Sequence, residues 1–214
     1  MKYFVIPVTA FMQNCSLLVC DTTRRAAVVD PGGDIERILA AVDKAGASVE
    51  KILLTHGHLD HAAAAGTLAQ RLGVPIEGPQ RDEASLIQSL PAQGRQFGLG
   101  FSGDLFEPDR WLEQGDTVRF GEQTLEVSHC PGHTPGHVIY FHRPTKMAWV
   151  GDVLFAGSIG RTDLPGGDHR TLIRSIRERL WPLGDEVEFV SGHGPNSTFG
   201  RERKSNPFVA DDLF

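Results

Sequence analysis

The stretch Thr55-His-Gly-His-Leu-Asp-His61 places three imidazoles and one carboxylate within seven positions, directly after the run Lys51-Ile-Leu-Leu54. His56 and His58 alternate with Gly57, and a period of two puts both rings on the same side of an extended segment. Imidazole nitrogens and carboxylate oxygens suit zinc and related divalent ions. A solvated group of histidines at a helix start is the alternative, but four ligand-type residues in seven favour a metal site.

Three further ligand-type residues each follow a strand-like run and lie beside glycine. His133 is in the Gly/Pro-rich loop 130–137, Asp152 follows the run 147–150 through a glycine, and His193 has a glycine on each side. Glycine lets the backbone approach closely, and loops at strand ends often carry function. Each residue alone is an ambiguous signal, because a structural role explains it equally well.

In their order, these residues resemble the metallo-β-lactamase superfamily, whose HxHxDH motif is followed by a distant His, a distant Asp and a final His. The resemblance extends from about residue 3 to residue 208 and is closest to the short single-domain members of the glyoxalase II-like (hydroxyacylglutathione hydrolase-like) branch. It rests on Thr55–His61, Pro131–His137, Gly151–Asp163 and Gly192–Pro195. The implied fold is α+β, an αββα four-layer sandwich.

The resemblance also implies two divalent metal ions. It assigns His56, His58 and His133 to one ion and Asp60, His61 and His193 to the other, with Asp152 bridging them. A bridging carboxylate suits cations ~3.5–4 Å apart, because each oxygen can meet one of them. Zinc is the expected metal, and iron or manganese are alternatives because these ligands accept all three.

The implied chemistry is hydrolysis of a thioester. A metal can lower the pKa of bound water from about 15.7 to about 7, which yields a metal-bound hydroxide that attacks an acyl carbonyl. Asp60 is expected to be catalytic, orienting this nucleophile and accepting its proton. A thiolate leaves readily, because a thiol has a pKa of about 8.5. We therefore predict a metal-dependent hydrolase acting on a small-molecule glutathione thioester such as S-lactoylglutathione.

The substrate site is less well defined by the sequence. Larger glyoxalase II enzymes place a basic residue and then a Tyr after the bridging Asp, whereas this chain has Gly160-Arg161-Thr162-Asp163. Arg161 is the predicted substrate-binding residue, able to pair with a substrate carboxylate. An exposed ion pair with Asp163 is the alternative interpretation.

Other functions stay open. The Gly-Arg-Thr-Asp stretch also resembles the persulfide dioxygenase branch, which uses a single iron on the equivalents of the first three-histidine set. A nonenzymatic, metal-stabilised binding module is a further alternative. A β-lactamase is disfavoured, since many such enzymes carry Cys at the position of Asp152 and the N-terminal residues do not resemble an export signal.

Composition limits the class of protein. The 214 residues are 40% hydrophobic and 22% charged, ordinary values for a soluble domain. We expect one metallo-β-lactamase-like domain over 1–214, without the separate C-terminal helical domain that holds glutathione in larger relatives. A net charge of −6 disfavours nucleic acid as a partner. No run is long enough for a membrane span, so a cytoplasmic location is expected, and no obligate protein partner is evident.

Periodicity predicts the secondary structure. Strands are expected near 3–8, 15–20, 26–30, 51–54, 74–77, 117–120, 124–129, 137–142 and 146–150, and helices over 34–44, 61–72, 81–89 and 168–180. Residues 94–109 are predicted to form a loop flanking the site. Cys130 is interpreted as a packed thiol, the basic tail 201–208 as a solvated cap, and His137 either as support for the His133 loop or as the start of a strand.

Overall fold

The computed structural model describes residues 1–98 and 104–213. Its strands are β1 (Lys2–Val8), β2 (Gln13–Val19), β3 (Arg25–Val29), β4 (Ser48–Leu53), β5 (Ile76–Glu77), β6 (Thr117–Phe120), β7 (Gln123–His129), β8 (Val138–His142), β9 (Met147–Gly151), β10 (Leu154–Phe155), β11 (Ser158–Ile159), β12 (Glu188–Ser191) and β13 (Ser197–Thr198). Its α-helices are α1 (Ile35–Ala45), α2 (Leu59–Ala62), α3 (Ala65–Leu72), α4 (Ala84–Gln88), α5 (Leu90–Gln96), α6 (His169–Ser175) and α7 (Phe199–Ser205). Single turns of 3₁₀-helix cover Arg81–Glu83, Arg143–Thr145, Trp181–Leu183 and Asp211–Leu213, and Ile176–Leu180 is π-helical.

Two sheets form the middle of the fold. The first has the order β1-β2-β3-β4-β5; β1, β2 and β3 pair antiparallel, whereas β3, β4 and β5 pair parallel. The second has the order β13-β12-β9-β8-β7-β6, in which β12 and β9 are parallel and the other neighbours antiparallel. Strands β10 and β11 pair as a separate ribbon.

Side chains that alternate along the strands build a core on both faces of each sheet. In β8, Val138 and Tyr140 belong to a cluster shared with the first sheet, whereas Ile139 and Phe141 belong to a cluster on the opposite face. This is the period of two expected of a strand buried on both sides. The cluster between the sheets draws residues from both of them, which joins the two sheets face to face.

Helices cover the two outer faces. Ile38 of α1 and Leu68 of α3 pack on the first sheet, and Leu172 of α6 and Phe199 of α7 pack on the second. The layers therefore follow the order helix, sheet, sheet, helix. The predicted α+β, four-layer αββα fold is confirmed.

Strand direction places the functional residues at one edge of this sandwich. Parallel strands end at the same edge, where β3 leads into Asp30, β4 into His56 and β5 into 78–83. In the second sheet, the parallel strands β9 and β12 lead into Asp152 and His193. The two sheets meet at this edge through a 2.9 Å hydrogen bond from the Val138 N–H to the Thr55 carbonyl.

The predicted and observed elements differ most clearly at three places. The predicted helix 61–72 is divided into α2 and α3, because the Ala64 N–H donates to the Pro31 carbonyl at 3.1 Å instead of continuing the helix. The loop expected over 94–109 starts too early, since α5 extends to Gln96; residues 99–103 lie outside the described residues. The predicted helix 168–180 is α-helical only to Ser175.

No helix within residues 1–98 and 104–213 has both the length and the apolar composition needed to cross a membrane.

Candidate metal centre

Three histidine nitrogens converge at the first half of the site. His58 Nδ1 lies 3.1 Å from His56 Nε2 and 2.9 Å from His133 Nε2. The first two residues follow β4, and His133 lies in the loop between β7 and β8. Nitrogens bound tetrahedrally to one zinc ion would be about 3.4 Å apart, so the spacing fits a shared cation.

A carboxylate and two more histidines form the second half. Asp60 Oδ2 lies 3.0 Å from His193 Nε2 and 3.9 Å from His61 Nε2. Their candidate ligand atoms all lie within 4.8 Å of one another, as do those of the first set. The two predicted ligand sets therefore form two adjacent clusters.

Asp152 lies between the clusters. Its Oδ1 is 3.3 Å from His61 Nε2, and its Oδ2 is 3.7 Å from His133 Nε2 and 3.8 Å from His193 Nε2. One oxygen therefore faces the second cluster, and the other lies between a histidine of each. The structure brings together all seven residues predicted as ligands.

Two buried polar atoms between the clusters indicate whether the site could hold a metal ion. His61 Nε2 and Asp152 Oδ1 are buried and have no hydrogen-bond partner among the described residues. Leaving a buried polar atom unpaired costs about 1–3 kcal/mol. A divalent cation would satisfy both atoms, so the donor set fits the predicted metal.

Hydrogen bonds at the far side of the rings orient four histidines. The Nδ1–H groups donate from His56 to Thr55 Oγ1 (3.0 Å), from His61 to Asp30 Oδ2 (2.9 Å), from His133 to the Arg161 carbonyl (2.8 Å) and from His193 to the Phe11 carbonyl (3.2 Å). Placing the proton on Nδ1 leaves the Nε2 lone pair facing the cluster. These partners therefore select the tautomer that can bind a metal.

The two clusters differ in charge. Burial, reinforced by neighbouring histidines, lowers the pKa of His56, and it lowers the pKa of His58 to about 3, so both rings are neutral at neutral pH. Burial opposes ionisation of Asp152, but His61 and the other nearby histidines outweigh it and lower the pKa of this carboxyl. The first cluster therefore consists of neutral nitrogens, while anionic oxygens are concentrated at the second cluster and between the two.

The match to known proteins agrees with this geometry. Residues 8–193 match the Metallo-beta-lactamase superfamily. The chain belongs to this superfamily. A Haemophilus influenzae protein named hydroxyacylglutathione hydrolase GloC is 47% identical over 210 residues, which cover 98% of each sequence. The chain is thus a metallo-hydrolase of the metallo-β-lactamase superfamily.

Two solved structures are also similar. The B3 metallo-β-lactamase BLEG-1 has a TM-score of 0.90 and 34% identity, and the match covers 97% of this chain and 99% of that one. TTHA1623, solved in a di-iron-bound form, has a TM-score of 0.87 and 35% identity, with 96% and 100% covered. The metallo-β-lactamase fold is therefore shared over almost the whole chain.

Several residues that hold this superfamily site together were not predicted. Asp30 accepts hydrogen bonds from the Thr55 N–H (2.7 Å) and hydroxyl (2.6 Å) as well as from His61. Asn14 donates to the carbonyls of Ser191 and Gly194, on either side of His193. Asp30 could have been found from the sequence, because it ends a strand-like run and is followed by Pro-Gly-Gly, whereas the residues around Asn14 give no such signal.

Residues with uncertain predicted roles are also placed. The exposed Arg161 side chain forms two hydrogen bonds to Asp163, at 2.8 and 2.7 Å, while its carbonyl orients His133. His137 precedes β8, and its Nε2 accepts from the Asp152 N–H at 3.1 Å, so its ring supports the Asp152 segment, whereas the prediction was support for the His133 loop or a strand start. Burial raises the pKa of the Cys130 thiol, as expected of a packed cysteine.

A basic residue of the tail 201–208 forms ion pairs within the fold. Arg203 of α7 forms ion pairs with Asp185 and Asp211. The interpretation of this tail as a cap therefore agrees with its contacts.

Proposed function

We propose that this metallo-hydrolase cleaves glutathione thioesters such as S-lactoylglutathione, with two divalent ions, zinc by expectation, as cofactors. The observation that carries the proposal is the pair of ligand clusters joined by Asp152, with buried, unpaired donor atoms between them. The proposed ligands are His56, His58 and His133 for one ion, Asp60, His61 and His193 for the other, and Asp152 for both.

The metal ions, Asp60 and Arg161 would have different roles in the proposed hydrolysis. When bound, the two cations would supply a water of lowered pKa and polarise the acyl carbonyl. Asp60 retains some exposure, with 20% of its side chain accessible, and its Oδ2 lies 3.0 Å from His193 Nε2. We assign to it the orientation of the attacking water and acceptance of its proton. Arg161 would bind a substrate carboxylate after exchanging its partner Asp163.

The choice of substrate is supported by the relative from Haemophilus influenzae, whose name specifies hydroxyacylglutathione hydrolysis. This favours the hydrolase over the mononuclear iron persulfide dioxygenase that the sequence left open. The di-iron form of TTHA1623 keeps iron beside zinc as a candidate metal. A cytoplasmic location and the absence of nucleic-acid, membrane and obligate protein partners stay predictions.

The test combines metal analysis with activity on the same purified sample. Metal content is measured by elemental analysis, and turnover is measured with S-lactoylglutathione, with glutathione persulfide plus O₂, and with a β-lactam. Two ions per chain and thioester turnover are the expected result. One iron per chain with persulfide-dependent O₂ uptake would replace the proposal with the dioxygenase, and bound metal without any turnover would support the binding module.

A pair of variants links activity to the site. Asp152→Ala should abolish thioester turnover, whereas Asp43→Ala, at an exposed position of α1, should not change it. Equal activity of the two variants would contradict the proposed centre.

A further inference from the structure

A buried carboxylate outside the ligand set connects the two loops of the first cluster. Glu83, at the end of the 3₁₀ turn after β5, has no exposed surface. Its Oε2 accepts the Gly57 N–H and its Oε1 accepts the Gly136 N–H, each at 2.7 Å. Hydrogen bonds to a charged acceptor are roughly twice as strong as neutral ones. Burying a carboxylate costs free energy unless hydrogen bonds offset it. The two bonds to Glu83 are therefore expected to stabilise the fold more than an ion pair at the surface would.

The two amides lie beside the three histidines of the first cluster. Gly57 lies between His56 and His58 in sequence, and Gly136 is three residues beyond His133. The two loops are far apart in sequence, because one follows β4 and the other precedes β8. Glu83 therefore links the two loops that carry the three imidazoles, in addition to the backbone hydrogen bond from Val138 to Thr55.

Both glycines are required by the closeness of this approach. A Cβ added at Gly57 would lie 2.9 Å from Leu86 Cβ, and one at Gly136 would lie 2.8 Å from the backbone nitrogen of Glu83. These distances are shorter than normal carbon contacts. The glycines that punctuate both ligand loops thus serve to admit the segment that carries Glu83.

A second side chain from the same region holds the same loop independently. Gln93 of α5 donates from Nε2 to the Gly57 carbonyl at 3.2 Å, and its Oε1 accepts the Leu59 N–H at 2.9 Å. These contacts lie on either side of His58 in sequence, and His58 is partly exposed. Residues 80–93 therefore act as a support for the first cluster.

We propose that Glu83 is a positioning residue that sets the affinity of the three-histidine site, and of that site selectively, by joining the Gly57 and Gly136 loops. This inference rests on the dinuclear centre of the proposed function. Asp60, His61 and His193 take their orientation from other residues, among them Asp30 and Asn14, so the second ion should be affected far less.

The test is a Co²⁺ titration of the metal-free protein, followed by visible absorption and by competition with a chromophoric chelator. Glu83→Gln keeps the size of the side chain but presents an NH₂ group to one of the two amides, and Glu83→Asp is too short to span both. His193→Ala removes a ligand of the second site alone and so assigns the two binding steps. We expect both Glu83 variants to bind Co²⁺ roughly 10- to 100-fold more weakly at the three-histidine step, with the second step almost unchanged.

The matched control is Glu202→Gln. Glu202 is also buried and accepts a backbone N–H, that of Gly157 at 2.8 Å, together with the Ser197 and Asn206 side chains. It reports the cost of removing a buried carboxylate that touches neither ligand loop. Its Co²⁺ affinities should equal those of the unmodified protein.

The outcomes separate this inference from the proposed function. If the unmodified protein fails to bind two Co²⁺ ions, the dinuclear centre itself is wrong. If it binds two and the Glu83 variants bind equally well, or lose both steps alike, or are matched by Glu202→Gln, the positioning role is overturned. Should the Glu83 variants not fold, Gln93→Ala decides the matter, because it must weaken the same step and no other.

Discussion

Replacing Asp30 with asparagine is expected to reverse the tautomer of His61 with almost no change in side-chain shape. Asp30 Oδ1 accepts the Thr55 N–H, while Oδ2 accepts both the Thr55 hydroxyl and His61 Nδ1–H. An asparagine that keeps its oxygen on the Thr55 N–H turns its NH₂ group toward His61. The imidazole proton must then move to Nε2, the atom that faces the metal position.

The size of the effect follows from these contacts. The opposite amide orientation offers no relief, because it sets NH₂ against the Thr55 N–H in a site where Asp30 is only 3% exposed. A hydrogen bond to a charged group contributes about 1.5–3 kcal/mol. Each 1.36 kcal/mol is about tenfold in affinity, so the ion at the second cluster should bind roughly 10- to 100-fold more weakly.

The assay is again a Co²⁺ titration against a chromophoric chelator. Binding at the Asp60, His61 and His193 site should weaken, and binding at the three-histidine site should be unchanged. Asp109→Asn is the control, since Asp109 Oδ2 also accepts a backbone N–H, that of Ile76 at 2.8 Å, without touching a ligand. An Asp30→Asn protein that binds the second ion within twofold of the unmodified protein would refute the tautomer argument.

Three further changes probe the bridge, the substrate contact and the core. Asp152→Ala should remove both metal ions and activity together, because it strips an oxygen from each cluster; elemental analysis checks this, and full turnover by a metal-free preparation would contradict it. Arg161→Ala should raise KM for a glutathione thioester roughly tenfold while changing the unfolding free energy by less than about 1 kcal/mol, since the Asp163 pair is exposed; an unchanged KM removes Arg161 from substrate binding. Phe189→Ala should lower the unfolding free energy by about 3–5 kcal/mol, because this fully buried ring stacks on Phe199 at 5.5 Å; a loss below about 1 kcal/mol in urea denaturation would show that the core there is not packed as described.

The parts that could be predicted depend on local pattern. His56, His58, Asp60 and His61 are adjacent in sequence, so their chemistry is visible without a fold. The four-layer order was implied by the family resemblance, and the division of β8 side chains between two cores agrees with it. The ligand motif and the resemblance it carries are therefore visible within a few residues of sequence.

The parts that could not be predicted depend on contacts between distant segments. Glu83 lies in the charged stretch Arg81-Asp82-Glu83 of the predicted helix 81–89, and its contacts with the Gly57 and Gly136 loops have no signal in that stretch. The break between α2 and α3 has the same origin, since the competing acceptor for the Ala64 N–H is a carbonyl from the loop after β3. Residues that orient the metal ligands produce no periodic pattern in the sequence, because each is a single side chain that contacts segments distant in sequence.

Because the ligand-bearing strand ends converge at one edge, none of the seven proposed ligands lies at the opposite edge. The turn Arg143–Lys146 joins β8 to the start of β9 at that opposite edge, and all of its residues are exposed. Because this turn is exposed, we expect changes of its length to leave the spacing between the ligand-bearing loops unchanged. The turn is therefore the natural attachment point for an inserted peptide or a fluorophore, and diversification of this scaffold can proceed on one edge while catalysis is inherited unchanged on the other.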